Sequence, residues 1–179
     1  MDLLSGKEAA ARIQGIILEK FQVHGHSVDL TACKIYSVDP AGKVDFSGSE
    51  YAAAELTAVG TIRHHPEDRY EWWDLERGSF YIEFNETLEL AENEIAMLEP
   101  LDRLIRAGAS HASVFLRGRA APLHTLLNVD ALNLCLKQNA RISRLSVFRL
   151  VPEGKSVKAS GAARVHAPAK PARKKSKKK

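Results

Sequence analysis

The sequence predicts a mainly β domain, a sandwich or barrel, and three observations carry that reading. Behind Trp72-Trp73, the side chains of Phe80, Ile82 and Phe84 alternate with Tyr81, Glu83 and Asn85, the period of two that marks a half-buried strand. Farther along, four apolar runs at 113–116, 123–129, 132–136 and 142–150 follow one another at short spacing, as strands joined by turns do. Finally, 179 residues with 45% hydrophobic content suffice for one domain with a real core.

From the N-terminus, Ser5-Gly6-Lys7-Glu8 fits a capping box, and Ala9, Ala10, Ala11 and Arg12 are good helix formers. A short helix to about Gly15 is expected. Residues 25–32 read as a turn entering a strand that continues to Val38, and Pro40-Ala41-Gly42-Lys43 as a tight turn joining two strands in a hairpin. Residues 48–57 suit either a helix, through Ala52, Ala53, Ala54, Glu55 and Leu56, or a polar extended arm. Residues 61–69 read as a loop. Gly78 reads as a turn feeding the central strand, which continues through 86–90, and 95–98 begins another. Leu101, Leu104 and Ile105 lie on one face of a helix over 101–107 that Gly108 ends.

Charge divides the chain. The net charge of +4 averages two unlike regions: ten Lys and Arg follow Gly154 with no acid among them, which leaves sixteen basic residues against twenty-two acids before it, a net of −6. The expected organisation is a folded domain over 1–152 and a basic tail over 153–179. That tail is too poor in large apolar residues to offset its ordering entropy and is expected to be disordered. Lys170, Arg173, Lys174, Lys175, Lys177, Lys178 and Lys179 are its candidate nucleic-acid contacts, made to phosphate alone because no aromatic residue is present to stack on bases.

No apolar run reaches the roughly 18 residues of a membrane helix, and the N-terminus lacks the basic-then-apolar pattern of a signal peptide. A cytoplasmic protein with no membrane contact is expected. Cys33 and Cys135 read as two buried thiols of a reducing compartment. His64-His65 has no partner at matching spacing, so no metal site is expected.

Four blocks then stand in a familiar order: Ser27-Val28-Asp29-Leu30; Gly78-Ser79-Phe80 with Asn85-Glu86; Pro100 with Leu104-Ile105-Arg106-Ala107-Gly108; and Asn139-Ala140-Arg141-Ile142 before Leu145-Ser146-Val147-Phe148. In order and spacing, over roughly residues 2–151, the set resembles the dCTP deaminase/dUTPase superfamily. The resemblance implies a distorted β-barrel or jelly-roll of the dUTPase-like type, with a short N-terminal helix and a helix near 101–107. It also implies a homotrimer whose sites lie at subunit interfaces and bind pyrimidine deoxynucleoside triphosphates with Mg²⁺. Asp29, Arg106 and Gly118 are the nucleotide-binding candidates it carries over. Asp29 reads equally as a capping or turn residue, and Arg106 as one arm of an inter-subunit ion pair.

The chemical positions depart from the pattern. Where the family has Arg-Ser-Ser after the proline, this chain has Leu101-Asp102-Arg103; a carboxylate there repels phosphate, and leucine cannot replace a bidentate arginine. Where it has Asp-Pro-Gly-Tyr-x-Gly, this chain has Leu116-Arg117-Gly118-Arg119-Ala120-Ala121, and the glutamine of the fourth block is Arg144. A lysine tail replaces the glycine-rich C-terminal arm of trimeric dUTPases. Between Asp102 and Asp130 there is no Asp or Glu to activate water, and only His111 and His124 titrate near neutrality. His124, near the strand where a deaminase places its glutamate, is the catalytic candidate, with a satisfied histidine at a trimer contact as the alternative. Three readings follow: a catalytically degenerate nucleotide-binding or regulatory trimer; an active dCTP deaminase or dUTP diphosphatase that uses Mg²⁺ with non-standard residues; and a protein that binds DNA or RNA through its tail.

Overall fold

The alternation around Phe80 belongs to a much longer strand than local sequence indicates. In the computed structural model, which describes residues 1–38 and 42–151, the strands are β1 (Asp2–Leu3), β2 (Ile13–Gln14), β3 (Val28–Val38), β4 (Leu56–Ala58), β5 (Trp72–Phe84), β6 (Thr87–Glu89), β7 (Glu94–Pro100), β8 (Ala109–His111), β9 (Val114–Leu116), β10 (Arg119–Ala120), β11 (His124–Lys137) and β12 (Arg141–Arg149). The helices are α1 (Gly6–Ala10), α2 (Glu19–Gln22) and α3 (Asp102–Arg106). The tail lies outside the described residues, as does the first half of the turn expected at 40–43.

The large sheet runs β8-β11-β5-β3-β12-β7-β9, with β1 added on β12 and β4 on β3; a small sheet runs β10-β6-β2. The pairings are antiparallel. The large sheet curls into a half-barrel, the mainly β architecture that the sequence predicts. Its concave side holds the core, with Leu30, Ile35, Ile82, Leu98, Leu127 and Leu145 fully buried. Closing one face of each strand onto these side chains is what hydrophobic burial favours, at about 25 cal/mol per Å².

Several local expectations change. Gly78 is not a turn: β5 passes straight through it, and it pairs with Val129 just before β11 bulges between Val129 and Asn133. A glycine inside a strand often marks such an irregularity. The runs at 123–129 and 132–136 are therefore one strand, β11, interrupted by that bulge. Gly108 secures it. Its carbonyl accepts hydrogen bonds from the N–H groups of Asp130 and Ala131 at 2.9 and 3.0 Å. Its φ of +86° suits glycine, and a Cβ there would meet the Ala131 methyl at 2.7 Å. Residues 38 and 56 pair across β3 and β4, so the connection between them is a long excursion, not a tight hairpin, with Lys43 and Ala52 bridged inside it. The segment after Asn85 leaves the large sheet, and β6 pairs with β2 and β10 instead.

The capping box forms as expected. Ser5 Oγ accepts from the Glu8 N–H, and Glu8 Oε2 accepts from the Ser5 N–H at 2.9 Å. The helix is shorter than expected, ending at Ala10. The expectation of two buried thiols also fails. Cys33 is half-buried and Cys135 exposed, because the alternation of β11 sends Leu134 and Leu136 into the core and Cys135 outward.

A half-buried ion pair ties the N-terminal segment to the sheet. Arg12 grips Glu94 with two hydrogen bonds, Nε to Oε2 at 3.0 Å and Nη2 to Oε1 at 2.8 Å, and Arg149 adds Nη2 to Oε1 at 3.4 Å. The hydrogen bond from Arg12 holds the Glu94 carboxyl down at about 2. A depressed carboxyl contributes stability above its ordinary pKa and loses it as pH falls toward the depressed value. Glu94→Gln should thus cost about 2 kcal/mol at neutral pH, and the deficit should shrink between about pH 4.5 and 2. Urea midpoints of both proteins across that range test it; an unchanging deficit would remove the ionic explanation.

Candidate functional site

Strands β3 and β12, with α3, build a cationic cluster on a buried carboxylate. Along β3, Val28, Leu30 and Ala32 face the core, which turns Asp29 and Thr31 to the opposite side. There they are covered as well, and Asp29 is 2% exposed. Directly across the ladder, Arg144 pairs with Asp29 and Arg141 with Thr31. In a regular strand, residues three apart point to opposite faces. Here the bulge between Arg141 and Ser143 inserts one extra residue, so both arginines emerge on the same face while Ile142 and Ser143 turn inward. The third arginine comes from α3, whose first turn is docked by the Leu101 N–H on the Ile142 carbonyl at 2.9 Å.

Four side chains converge on the carboxylate. His24 Nε2 lies 3.0 Å, Arg141 Nη1 3.2 Å and Arg103 Nη2 3.7 Å from Asp29 Oδ2, and Arg144 Nε lies 3.8 Å from Oδ1. Oδ1 is buried without a hydrogen-bond partner. Arg141 also donates to the Phe21 carbonyl at the end of α2. Burial, then repulsion from Arg141, pushes the Arg103 pKa below its ordinary value, against the attraction of Asp29; a guanidinium stays charged at neutral pH regardless. Three guanidinium charges therefore share one carboxylate. The floor is anionic and buried, and the rim is cationic and open: Arg103 and Arg144 are about half exposed. Such a rim is suited to a bidentate oxyanion such as phosphate.

The cluster stands on a buried polar layer. Glu86, with no exposed surface, accepts from Gln22 Nε2 at 2.6 Å, the Thr31 N–H at 2.9 Å and Thr31 Oγ1 at 2.7 Å. Gln22 Nε2 also donates to the Asp29 carbonyl at 3.0 Å, while its Oε1 accepts from the N–H groups of Ile17 and Leu18. Asn85 Nδ2 bridges Thr31 Oγ1 and Asn139 Oδ1, both at 2.9 Å. Beside Arg141 an open groove of about 280 Å³ is lined by Ile17, Leu18, Phe21, Gln22, Thr31, Tyr70 and Asn139.

Of the candidate site residues carried over from the resemblance, only Asp29 lies in this cluster; Arg141 stands in the fourth block, and Arg103 and Arg144 stand where the chain departs from the pattern. Arg106 pairs instead with Asp102 at 2.9 Å on the solvent side of α3, both about 80% exposed. That pair also answers the expected repulsion, because Asp102 is neutralised and turned outward while its neighbour Arg103 faces Asp29. Gly118 occupies a turn at φ +63°, and its carbonyl accepts from the Leu90 N–H at 3.0 Å. His124 is exposed on β11, stacked on Tyr81 at 4.8 Å between ring centroids and paired across the ladder with Glu83. That row meets β3 at Lys34, five residues along the strand from Asp29. His111 is buried, its Nδ1 donating to the Ala112 carbonyl at 2.9 Å and its Nε2 accepting from Ser143 Oγ at 2.7 Å. Burial pushes its pKa down, and with both nitrogens engaged it is a satisfied core histidine. Lys170, Arg173 and the lysines that follow lie outside the described residues.

The residues do not build a Mg²⁺ site at the cluster. Mg²⁺ needs several oxygen ligands at near-octahedral geometry. Asp29 offers the one carboxylate on the cluster's floor, and three guanidiniums around it would repel a divalent cation.

Comparison with known proteins gives the fold its context. No family model matches the sequence. A protein of Methanosarcina acetivorans named probable deoxyuridine 5'-triphosphate nucleotidohydrolase is 29% identical over 164 residues, covering 86% of this chain and 91% of the relative. A protein of the same name from Archaeoglobus fulgidus is 28% identical over 158 residues, covering 84% and 89%. The structure is similar to that of 2'-deoxycytidine 5'-triphosphate deaminase from Agrobacterium tumefaciens, with a TM-score of 0.58 and 13% identity. That match takes in 82% of this chain, which spans about half of the deaminase, 48%. The curled sheet with its arginine-rimmed carboxylate thus has a dUTPase-like fold. In sequence the chain is similar to proteins named probable dUTPases, and in fold to a dCTP deaminase.

Proposed function

We propose that this protein is a nucleotide-binding trimer of pyrimidine deoxynucleotide metabolism that holds a polyphosphate at the Asp29 cluster and has lost turnover. The observation that carries the reading is the excess of cation there: three guanidiniums within 4 Å of one carboxylate that already has His24 beside it. A triphosphate supplies the missing anion, and any Mg²⁺ would arrive on the nucleotide. The loss of turnover is supported by the absence of Asp or Glu between Asp102 and Asp130 and by the engagement of His111 in the core. A trimer is supported by exposed apolar side chains on the strands, Val114, Phe115, Leu126 and Leu132. Leu134 and Leu136 are buried within the chain and need no partner.

An active dUTP hydrolase is the second reading, and the names of the relatives favour it. Thermal shift of the full chain against dUTP, dCTP and dTTP, with and without Mg²⁺, separates the two when paired with a turnover assay and sedimentation. A ligand bound only to the native state at about a hundred times its Kd stabilises by about 2.7 kcal/mol. Stabilisation without turnover in a trimer is the expected result. No stabilisation by any of the three overturns nucleotide binding, turnover on the order of 1 s⁻¹ restores the enzyme, and a monomer at micromolar concentration removes the trimer.

A further inference from the structure

We propose that His64, Asp74 and Cys135 form a zinc site on the outer face of the β5–β11 ladder. Their donor atoms all lie within 4.8 Å of one another. His64 Nε2 is 3.0 Å from Asp74 Oδ1 and 3.3 Å from Oδ2. Asp74 and Cys135 are directly opposed in the register of the two strands, so their side chains share one face as neighbours. In a tetrahedral zinc site with metal–ligand distances near 2.0–2.3 Å, adjacent donors stand roughly 3.3–3.8 Å apart. The three side chains thus need only a small closing movement.

The histidine, though carried by a loop, is held in place. Its ring lies parallel to that of Trp72, 5.0 Å between centroids and 1° between planes. The loop is pinned to the sheet by Asp68, which takes Lys137 Nζ at 2.8 Å, Trp72 Nε1 at 3.2 Å and the His65 N–H at 3.2 Å. Trp72 and Asp74 are two apart on β5, and Cys135 and Lys137 two apart on β11, so the whole group stands on one face. On the sulfur side, Asn133 Nδ2 donates to Cys135 Sγ at 3.7 Å. A plain surface ion pair accounts for His64 and Asp74 but leaves an exposed thiol aimed at the same point. Nitrogen, oxygen and sulfur donors together favour zinc over the oxygen-seeking Mg²⁺ and Ca²⁺. Three protein donors leave one position for water, and the ion would clamp the 61–71 loop onto the sheet.

Titration of the reduced, metal-free full chain with Co²⁺ tests this. One equivalent per chain should bring a thiolate-to-cobalt charge-transfer band and tetrahedral visible bands, both removed by Zn²⁺. Cys135→Ser should abolish the charge-transfer band, His64→Ala should weaken binding at least about tenfold, and Cys33→Ser should change neither. His64 and Cys135 are at the surface and Cys33 is only half-buried, so the variants should fold. Absence of the band in the unmodified chain, or its survival in Cys135→Ser, would overturn the site.

Discussion

Glu86→Ala should lower the free energy of unfolding by about 4 kcal/mol, a large share of the roughly 5–15 kcal/mol that holds a domain together. The carboxylate accepts three hydrogen bonds in a site with no exposed surface. Its removal strands one N–H of the Gln22 amide, the Thr31 N–H and the Thr31 hydroxyl, each costing about 1–3 kcal/mol when left buried without a partner; rotation of the hydroxyl offsets part of that. The effect should depend on pH. Burial pushes the Glu86 pKa up against the opposing hydrogen bonds from Thr31 and Gln22. The native state therefore binds more protons than the unfolded chain between the ordinary carboxyl pKa and the raised one, and stability falls as pH rises through that window. The alanine variant lacks this slope, so the deficit should be larger near pH 4.5 than near pH 8. Denaturant unfolding at both values measures it; a deficit below about 1 kcal/mol at both would mean that water fills the hole and satisfies the layer.

The β character of the chain is legible because it is written locally. Phe80, Ile82 and Phe84 alternate without knowledge of any partner. What depends on a partner is not legible. Gly78 has the look of a turn until β11 is laid beside it, and Asp130-Ala131 looks like a break between strands until the Gly108 carbonyl collects both N–H groups. Cys135 belongs with Leu134 and Leu136 by composition, and only the phase of the strand separates it from them.

The candidate site was half legible for the same reason. Asp29 stands in a motif and is found at the centre of the cluster. Arg103 and Arg106 lie three apart on a five-residue helix, and nothing local says which of them faces inward. Arg144 reads in the sequence as a lost glutamine. That it is a gained cation, sharing a face with Arg141, follows only from the bulge between Arg141 and Ser143. The signal was present, since the departures at 103 and 144 each place an arginine, but its meaning required the register. His64 is the parallel case: its partners Asp74 and Cys135 lie ten and seventy-one residues on, at no recognisable metal-ligand spacing.

Asp29→Asn should destabilise the protein by about 3 kcal/mol and at the same time strengthen its hold on polyanions. Removing one partner of a fully buried ion pair costs about 3–5 kcal/mol. The lower end applies because Arg103 and Arg144 reach solvent and can swing apart. Without the carboxylate, three guanidiniums repel one another across a cavity built for negative charge, and an added anion relieves more strain than it does in the unmodified chain. Inorganic tripolyphosphate should therefore raise the melting temperature of Asp29→Asn by more than it raises that of the parent. High salt should erase the difference, because screening acts on the same repulsion. An equal shift in both proteins would mean that the anion binds away from Asp29. A variant as stable as the parent would mean that the arginines do not depend on the carboxylate at all.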